Sequence, residues 1–197
     1  MIKNKKANNV TKLEREIKNI ISNSPVNSDL KHAISARKWV LKLNPGADLA
    51  LQIAALAHDI ERGCQNESKQ TTKVKEDFKN YIQLKKIHSQ KSAEVIVDLL
   101  NKHEFDKSFI AKVKSLVLKH EFGGDKEADV LMDADSLSFF QENFIYYYKK
   151  YGEDKAKSKI NFMYSRMSAN AKKLARKINF KSKKLEKIFK EEINEKN

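Results

Sequence analysis

The chain has 197 residues, and its 40 Lys+Arg against 26 Asp+Glu leave a formal net charge of +14 at pH 7. That length suits one domain, or one domain with a tail. A hydrophobic share of 40% excludes wholesale disorder, and a single Cys excludes an intramolecular disulfide framework. With 5 Gly and 2 Pro there is little turn chemistry for a many-stranded protein, so the composition predicts an all-α chain. No apolar run reaches the length of a membrane span, and MIKNKKANNV lacks the apolar core of a secretory signal. A soluble, cytoplasmic protein with no membrane partner is expected.

Val10, Leu13, Ile17 and Ile20/Ile21 recur at helical spacing and predict an amphipathic first helix over 10–22. Ser24-Pro25 stops it, and Asn27 or Ser28 is placed to cap a second helix running to about Leu43. Asn44-Pro45-Gly46 breaks that helix. Residues 47–60, ADLALQIAALAHDI, are apolar nearly all round, the pattern of a buried central helix. Residues 61–72 read as a polar loop, and helical stretches over 73–87 and 89–102 follow. Asp106 or Ser108 caps the next helix, which ends near His120. Gly123-Gly124-Asp125 reads as a helix-terminating turn, with a substrate-facing loop as the second reading. A long helix is expected over 126–151. Residues 153–195 then carry two more helices, the last with Leu185 and Ile188/Phe189 on one face. The predicted organisation is an N-terminal helix (1–24), a helical domain (25–151) and basic C-terminal helices (152–197) packed on it or extending it.

The charge excess is mostly Lys, 35 residues against 5 Arg, and residues 172–197 hold ten Lys/Arg against four Glu. Bidentate phosphate recognition draws on Arg, whereas Lys is also a generic solubilising charge. A solvated helical surface is therefore the first reading and a phosphate or nucleic-acid footprint the second.

More informative is polarity out of place. His58 and Asp59 follow LQIAALA, and an ionised carboxylate at the end of a buried helix is costly unless a partner or a metal compensates it. Asp133 and Asp135 interrupt VLMDADSLSFF, a segment otherwise fit for a core. His32 shares a stripe with Ala36, Trp39/Val40 and Leu43. His88 lies in line with Val95/Ile96 and Leu99, and His120 follows Val113, Leu116 and Val117. Any one of these histidines reads as a hydrogen-bonded core residue. Together with the two carboxylates they predict a metal site. His103, in NKHEF, sits at a polar helix end.

The order His32…His58-Asp59…Asp135, in HAISARKWV, AALAHDIERG and VLMDADSLSFF, resembles the HD-domain superfamily of metal-dependent phosphohydrolases over roughly residues 28–145. The resemblance implies an all-helical HD domain in which His32, His58, Asp59 and Asp135 hold a metal ion. Asp135 is chosen over Asp133 because the family's last ligand stands in an Ala-Asp-x-Leu context, here Ala134-Asp135-Ser136-Leu137. Asp133 is then a group behind the ligands, a substrate-side group or a helix-start residue. His88 and His120 match positions that some subgroups use for a second metal or the substrate phosphate; a proton-donor role and a structural role stay open. The GYP signature of cyclic-di-nucleotide phosphodiesterases is absent. HDIER also departs from the acidic pair of alarmone hydrolases, with Glu61 a candidate base.

Mixed N/O donors suit Mn²⁺, Fe²⁺, Co²⁺ or Zn²⁺, with Mg²⁺ less favoured; one ion is expected, with a second open. Arg37, Arg62, Lys119, Lys159 and Arg166 are the candidate cations for a substrate phosphate. No phosphate-cradling Gly-rich loop is present, and Cys64 has no context for nucleophilic catalysis. The expected activity is hydrolysis of a small nucleotide-like phosphate ester, pyrophosphate or cyclic phosphate by metal-activated water. The alternative is a non-catalytic HD-fold module whose basic tail docks on RNA or another polyanion. That tail lacks aromatics interleaved for base stacking. A homodimer is compatible with either.

Overall fold

The computed structural model describes residues 2–64, 78–180 and 182–194, and every regular element among them is helical. In chain order these are α1 (Ile2–Ser22), α2 (Asp29–Leu43), α3 (Leu49–Ala57), a 3₁₀ turn (Ile60–Cys64), α4 (Phe78–Lys102), α5 (Lys107–Lys119) and α6 (Lys126–Ser138). A π-helical segment, Phe139–Asn143, leads into α7 (Phe144–Arg166), α8 (Ala169–Ala175) and α9 (Lys183–Asn194). The all-α expectation holds. Among the described helices none is long and apolar enough to cross a membrane.

Local chemistry sets the helix starts. Asp48, Asp106 and Asp125 each accept a backbone N–H of the first turn, from Leu51 (3.0 Å), Phe109 (2.8 Å) and Ala128 (3.0 Å). These side chains satisfy donors that the helix itself leaves without a partner. Gly123, at φ 68°, bonds back to the Lys119 carbonyl at 2.8 Å and ends α5, so the glycine turn is a helix stop.

Two apolar clusters fill the interior. The first joins α1 through α6 and is built from small and aliphatic residues, among them Leu13, Ile17, Ala33, Ala54, Ile96, Val117 and Ala134. Buried alanines on α2, α3 and α6 let these helices approach closely. The second cluster lies under α7, α8 and α9 and is aromatic, with Phe139, Phe140, Phe144 and Phe189 at its centre. Trp39 and Leu43 of α2 touch both. At the edge of the first cluster Gly63 presses on α1, where a Cβ would lie 1.9 Å from the Ile20 carbonyl oxygen. Only glycine fits there.

Three expectations about elements need correction. The first helix starts at Ile2, well before Val10. Residues 78–102 form one continuous helix rather than two stretches meeting at 88, because Ser89 returns its hydroxyl to the Lys85 carbonyl (3.0 Å) and stays inside the helix. The long helix over 126–151 is interrupted by the π-helical segment at 139–143; its expected end holds, since Gly152 (φ 80°) breaks the helical path there, and a further helical stretch runs on to Arg166. Of the expected polar loop, residues 61–64 belong to the 3₁₀ turn and 65–72 lie outside the described residues.

Candidate metal centre

His32 comes from α2, His58 and Asp59 from the end of α3, His88 from α4, His120 from the end of α5 and Asp135 from α6. All but His88 are buried, and His88 is half-buried. The four imidazoles form a row, with ring centroids 5.0 Å apart for His32–His58, 5.2 Å for His58–His120 and 5.4 Å for His88–His120.

One carboxylate oxygen each of Asp59 and Asp135 lies close to the paired His32 and His58 nitrogens. The Nε2 atoms of His32 and His58 are 3.0 Å apart, and Asp135 Oδ1 lies 3.2 and 3.4 Å from them. Asp59 Oδ2 stands 3.6 and 3.7 Å from the same two nitrogens. Ligand atoms about 2.0–2.2 Å from a divalent ion stand about 3.0–3.6 Å from one another, so the set has the span of a coordination shell. Asp59 then turns its other oxygen to a second group. Its Oδ1 lies 2.7 Å from His88 Nε2 and 3.9 Å from His120 Nε2, and the three offer ligand atoms within 4.8 Å of one another.

The surroundings choose the tautomers. His58 and His120 each follow the last residue of a helix, and each returns Nδ1–H to the carbonyl three residues back, Ala55 at 2.9 Å and Val117 at 2.7 Å. The Ser138 hydroxyl donates to the His32 carbonyl (2.7 Å) and so accepts from His32 Nδ1–H (2.9 Å). Three imidazoles therefore hold their Nδ1 proton outward and aim Nε2 inward, as metal-binding histidines do. His120 Nε2 is buried with no hydrogen-bond partner. A buried imidazole lone pair of this kind, with Glu121 Oε1 and Asp59 Oδ1 3.5 and 3.9 Å away, suits a cation.

Burial opposes every charge here, and neighbouring charges outweigh it at most positions. Asp59 is held well below the usual carboxylate range despite burial, by the Arg62 guanidinium and by His58 and His88. Asp135 is likewise low against burial, through hydrogen bonds from His32 and His58 and the charge of Arg166. Burial works against a charged His58, but Asp59 and Asp135 push it up to about 9. His88 is raised against burial by Asp59, with Glu61 Oε1 2.8 Å from its Nδ1. Burial dominates at His120, which is lowered. The site thus offers both metal-ready nitrogens and protons that an ion would displace.

A family model described as "Domain of unknown function (DUF4202)" matches residues 5–188. The chain belongs to this family. No curated protein and no solved structure shows significant similarity to it. The buried His/Asp groups of this DUF4202 chain are able to hold a metal ion.

The other sequence-predicted site residues divide sharply. Arg62 bridges Asp59 (2.9 Å) and the buried Asp29 (3.5 Å), and Glu61 holds His88. Arg62 and His88 are thus protein partners that compensate the Asp59 charge, one of the two compensations the sequence requires. Arg166 reaches Asp135 at 2.6 Å. Lys159 is half-buried, 5.3 Å from the ring centres of Phe139 and Phe162. Burial, then the charge of Lys85, lowers it well below an ordinary lysine, while Glu121 and Asp135 act oppositely. Arg37 and Lys119 are elsewhere. Arg37 ties α1 to α3 through Glu14 (2.7 Å) and Gln52 (3.1 Å), and Lys119 pairs with Asp125 (2.7 Å) on the surface. Asp133 accepts from the Ser168 N–H (2.9 Å) and hydroxyl (2.5 Å), clamping the start of α8 rather than backing a ligand. Cys64 is exposed, and His103 pairs with Glu16 (2.8 Å).

Sequence reasoning missed Glu121, Lys85, Asp29 and Ser138. Glu121 is buried between Lys85 (2.5 Å), Arg166 (2.9 Å) and His120 Nε2 (3.5 Å), which hold its carboxyl well below the usual range against burial. Its one sequence signal is adjacency to His120.

Proposed function

We propose that this DUF4202 chain is an HD-type metal-dependent phosphohydrolase acting on a small nucleotide-like phosphate ester, pyrophosphate or cyclic phosphate. The observation that supports this most is the convergence of His32, His58, Asp59 and Asp135, with Nδ1 of both histidines locked outward by Ser138 and Ala55. These four residues would hold the ion; Asp59 Oδ1, His88 and His120 would hold a second. When bound, a divalent ion supplies an acidified water and neutralises phosphoryl charge. Mixed imidazole and carboxylate donors suit Mn²⁺, Fe²⁺, Co²⁺ or Zn²⁺ better than Mg²⁺.

The chain's own groups supply the rest. Where no second ion is bound, His88, held by Glu61 on Nδ1, can give its Nε2 proton to a leaving oxygen and is left as the neutral imidazole. Arg62, paired with Asp59 and with its side chain 34% exposed, is the cation placed to meet an incoming phosphate. The first cluster packs beside these side chains, so His32, His58, Asp59, His120 and Asp135 are all buried.

A panel of nucleotides, pyrophosphates and simple phosphoesters, screened with Mn²⁺, Co²⁺, Zn²⁺ and Mg²⁺, tests this reading. Turnover that chelator abolishes and metal restores is expected, with Asp135→Ala inactive. Metal-dependent turnover no greater than that of Asp135→Ala would sink it. A second reading, a non-catalytic module for RNA or another polyanion, draws on a cavity of about 510 Å³ bordered by Tyr164, Lys172, Lys173 and Arg176. Salt-sensitive RNA binding without any turnover would favour it.

A further inference from the structure

The six candidate ligands lie on α2 through α6, yet the most heavily engaged side chain beside them comes from the last residue of α7. The Arg166 guanidinium is 10% exposed and meets four acceptors. Nη2 donates to Asp135 Oδ2 at 2.6 Å, Nη1 to Glu121 Oε2 and to the Glu121 carbonyl at 2.9 Å each, and Nε to the Ser136 hydroxyl at 3.1 Å. The Phe162 ring, 5.2 Å from the guanidinium carbon, lies under its plane. We propose that Arg166 is a positioning residue of the metal centre, through which the C-terminal helices fix how Asp135 binds the ion and hold Glu121 against His120. This rests on the metal-centre reading above.

The argument begins with the two oxygens of Asp135. Arg166 occupies Oδ2, so only Oδ1 faces the His32 and His58 nitrogens, at 3.2 and 3.4 Å. A carboxylate held in this way binds through one oxygen and leaves the neighbouring coordination position open for water or substrate. Without the guanidinium, Oδ2 is free to swing in and close that position. The second effect runs through Glu121. Arg166 and Lys85 together hold its carboxylate, which keeps Oε1 3.5 Å from His120 Nε2 at the second ion position. A planar fork holds both carboxylates in fixed directions, which the freely rotating ammonium of a lysine does not. Four of the five Arg166 N–H donors are committed within the protein, so its main engagement is with these acceptors and not with a substrate phosphate as expected.

A plainer role would be to dock α7 and α8 onto α6. Asp133 isolates that role, because it clamps Ser168 to α6 and touches no ligand. The experiment titrates Mn²⁺ and Co²⁺ into the chelated full chain by calorimetry and records the Co²⁺ visible spectrum. Arg166→Gln, Arg166→Lys and Asp133→Ala are compared with the parent. Arg166→Gln is expected to weaken binding by about 10–100-fold and to dim the Co²⁺ bands as the ion gains a ligand. Arg166→Lys, which keeps the charge and protects against a folding failure of the Gln variant, should lie between. Asp133→Ala should lower the melting temperature yet keep the parent's affinity and spectrum. Unchanged binding and spectrum in the folded Arg166 variants overturn the proposal. Equal losses in Asp133→Ala overturn it too, since docking alone would then explain them. A parent that binds no metal overturns the metal-centre reading and this proposal together. A parent that binds metal but turns over no phosphoester overturns only the phosphohydrolase reading.

Discussion

The two apolar clusters are built from different residues, and the difference follows from what each must position. Around the candidate metal centre the packing residues are mainly Ala, Leu, Ile and Val, with Ala33, Ala36, Ala54, Ala55, Ala57 and Ala134 all fully or almost fully buried. Short side chains bring helix backbones together, so that histidines and carboxylates from five helices meet within hydrogen-bond range. Under α7–α9 the same volume is filled by edge-on aromatic rings, such as Phe140 and Phe189 with centroids 4.8 Å apart. That layer carries bulk and stability, and it sends one guanidinium across to the other. Stability and chemistry are thus largely housed apart.

The largest expected break in this division comes from the aromatic layer. Phe140→Ala removes a ring that is 2% exposed and should cost about 3–5 kcal/mol of unfolding free energy in denaturant titrations. Its metal affinity, measured on the folded protein, should match the parent's. A matching loss of metal binding would show that the two clusters are not separable.

Asp59→Asn probes the other side. In the chelated protein Asp59 answers Arg62, His58 and His88, so a neutral amide should destabilise it by about 3 kcal/mol. The rise in melting temperature that Mn²⁺ gives the parent should shrink as well, because that rise follows the binding constant. A mutant that loses stability but keeps the full metal shift would make Asp59 a salt-bridge partner and no ligand. At the small end, Lys119→Ala should change stability by less than about 1 kcal/mol and leave turnover unaltered, because its pair with Asp125 is exposed on both sides. A turnover defect there would move the substrate's phosphate to a part of the surface the centre does not reach.

The candidate ligands were legible in the sequence because a charge or imidazole on an apolar stripe conflicts with its setting, and His32, His58, Asp59, His120 and Asp135 all stand in that conflict. Glu121 was not, since beside Lys119 and His120 at a helix end it reads as surface. The cations show the same limit from the other side. Composition reveals that Arg37 and Arg166 carry charge, but pairing with Glu14 or with Asp135 is a long-range fact that spacing does not contain. The all-helical fold followed from scarce Gly and Pro and from periodicity. The π segment escaped because FFQENF has helical composition throughout, and its one wide turn is forced by packing: Ser138 must reach His32 while Phe139 and Phe140 enter the aromatic layer.

The contact at Gly63 has a dynamic consequence. With its α-carbon against the Ile20 carbonyl, the turn that bears Glu61 and Arg62 has no clearance from the final turn of α1. Neither piece can separate without the other, so both belong to one cooperative unit in the opening of the native state. Amide exchange at Ile60–Cys64 is then paced by α1, and fraying that begins near the amino terminus becomes felt at the centre only once it travels the full helix to Ile20.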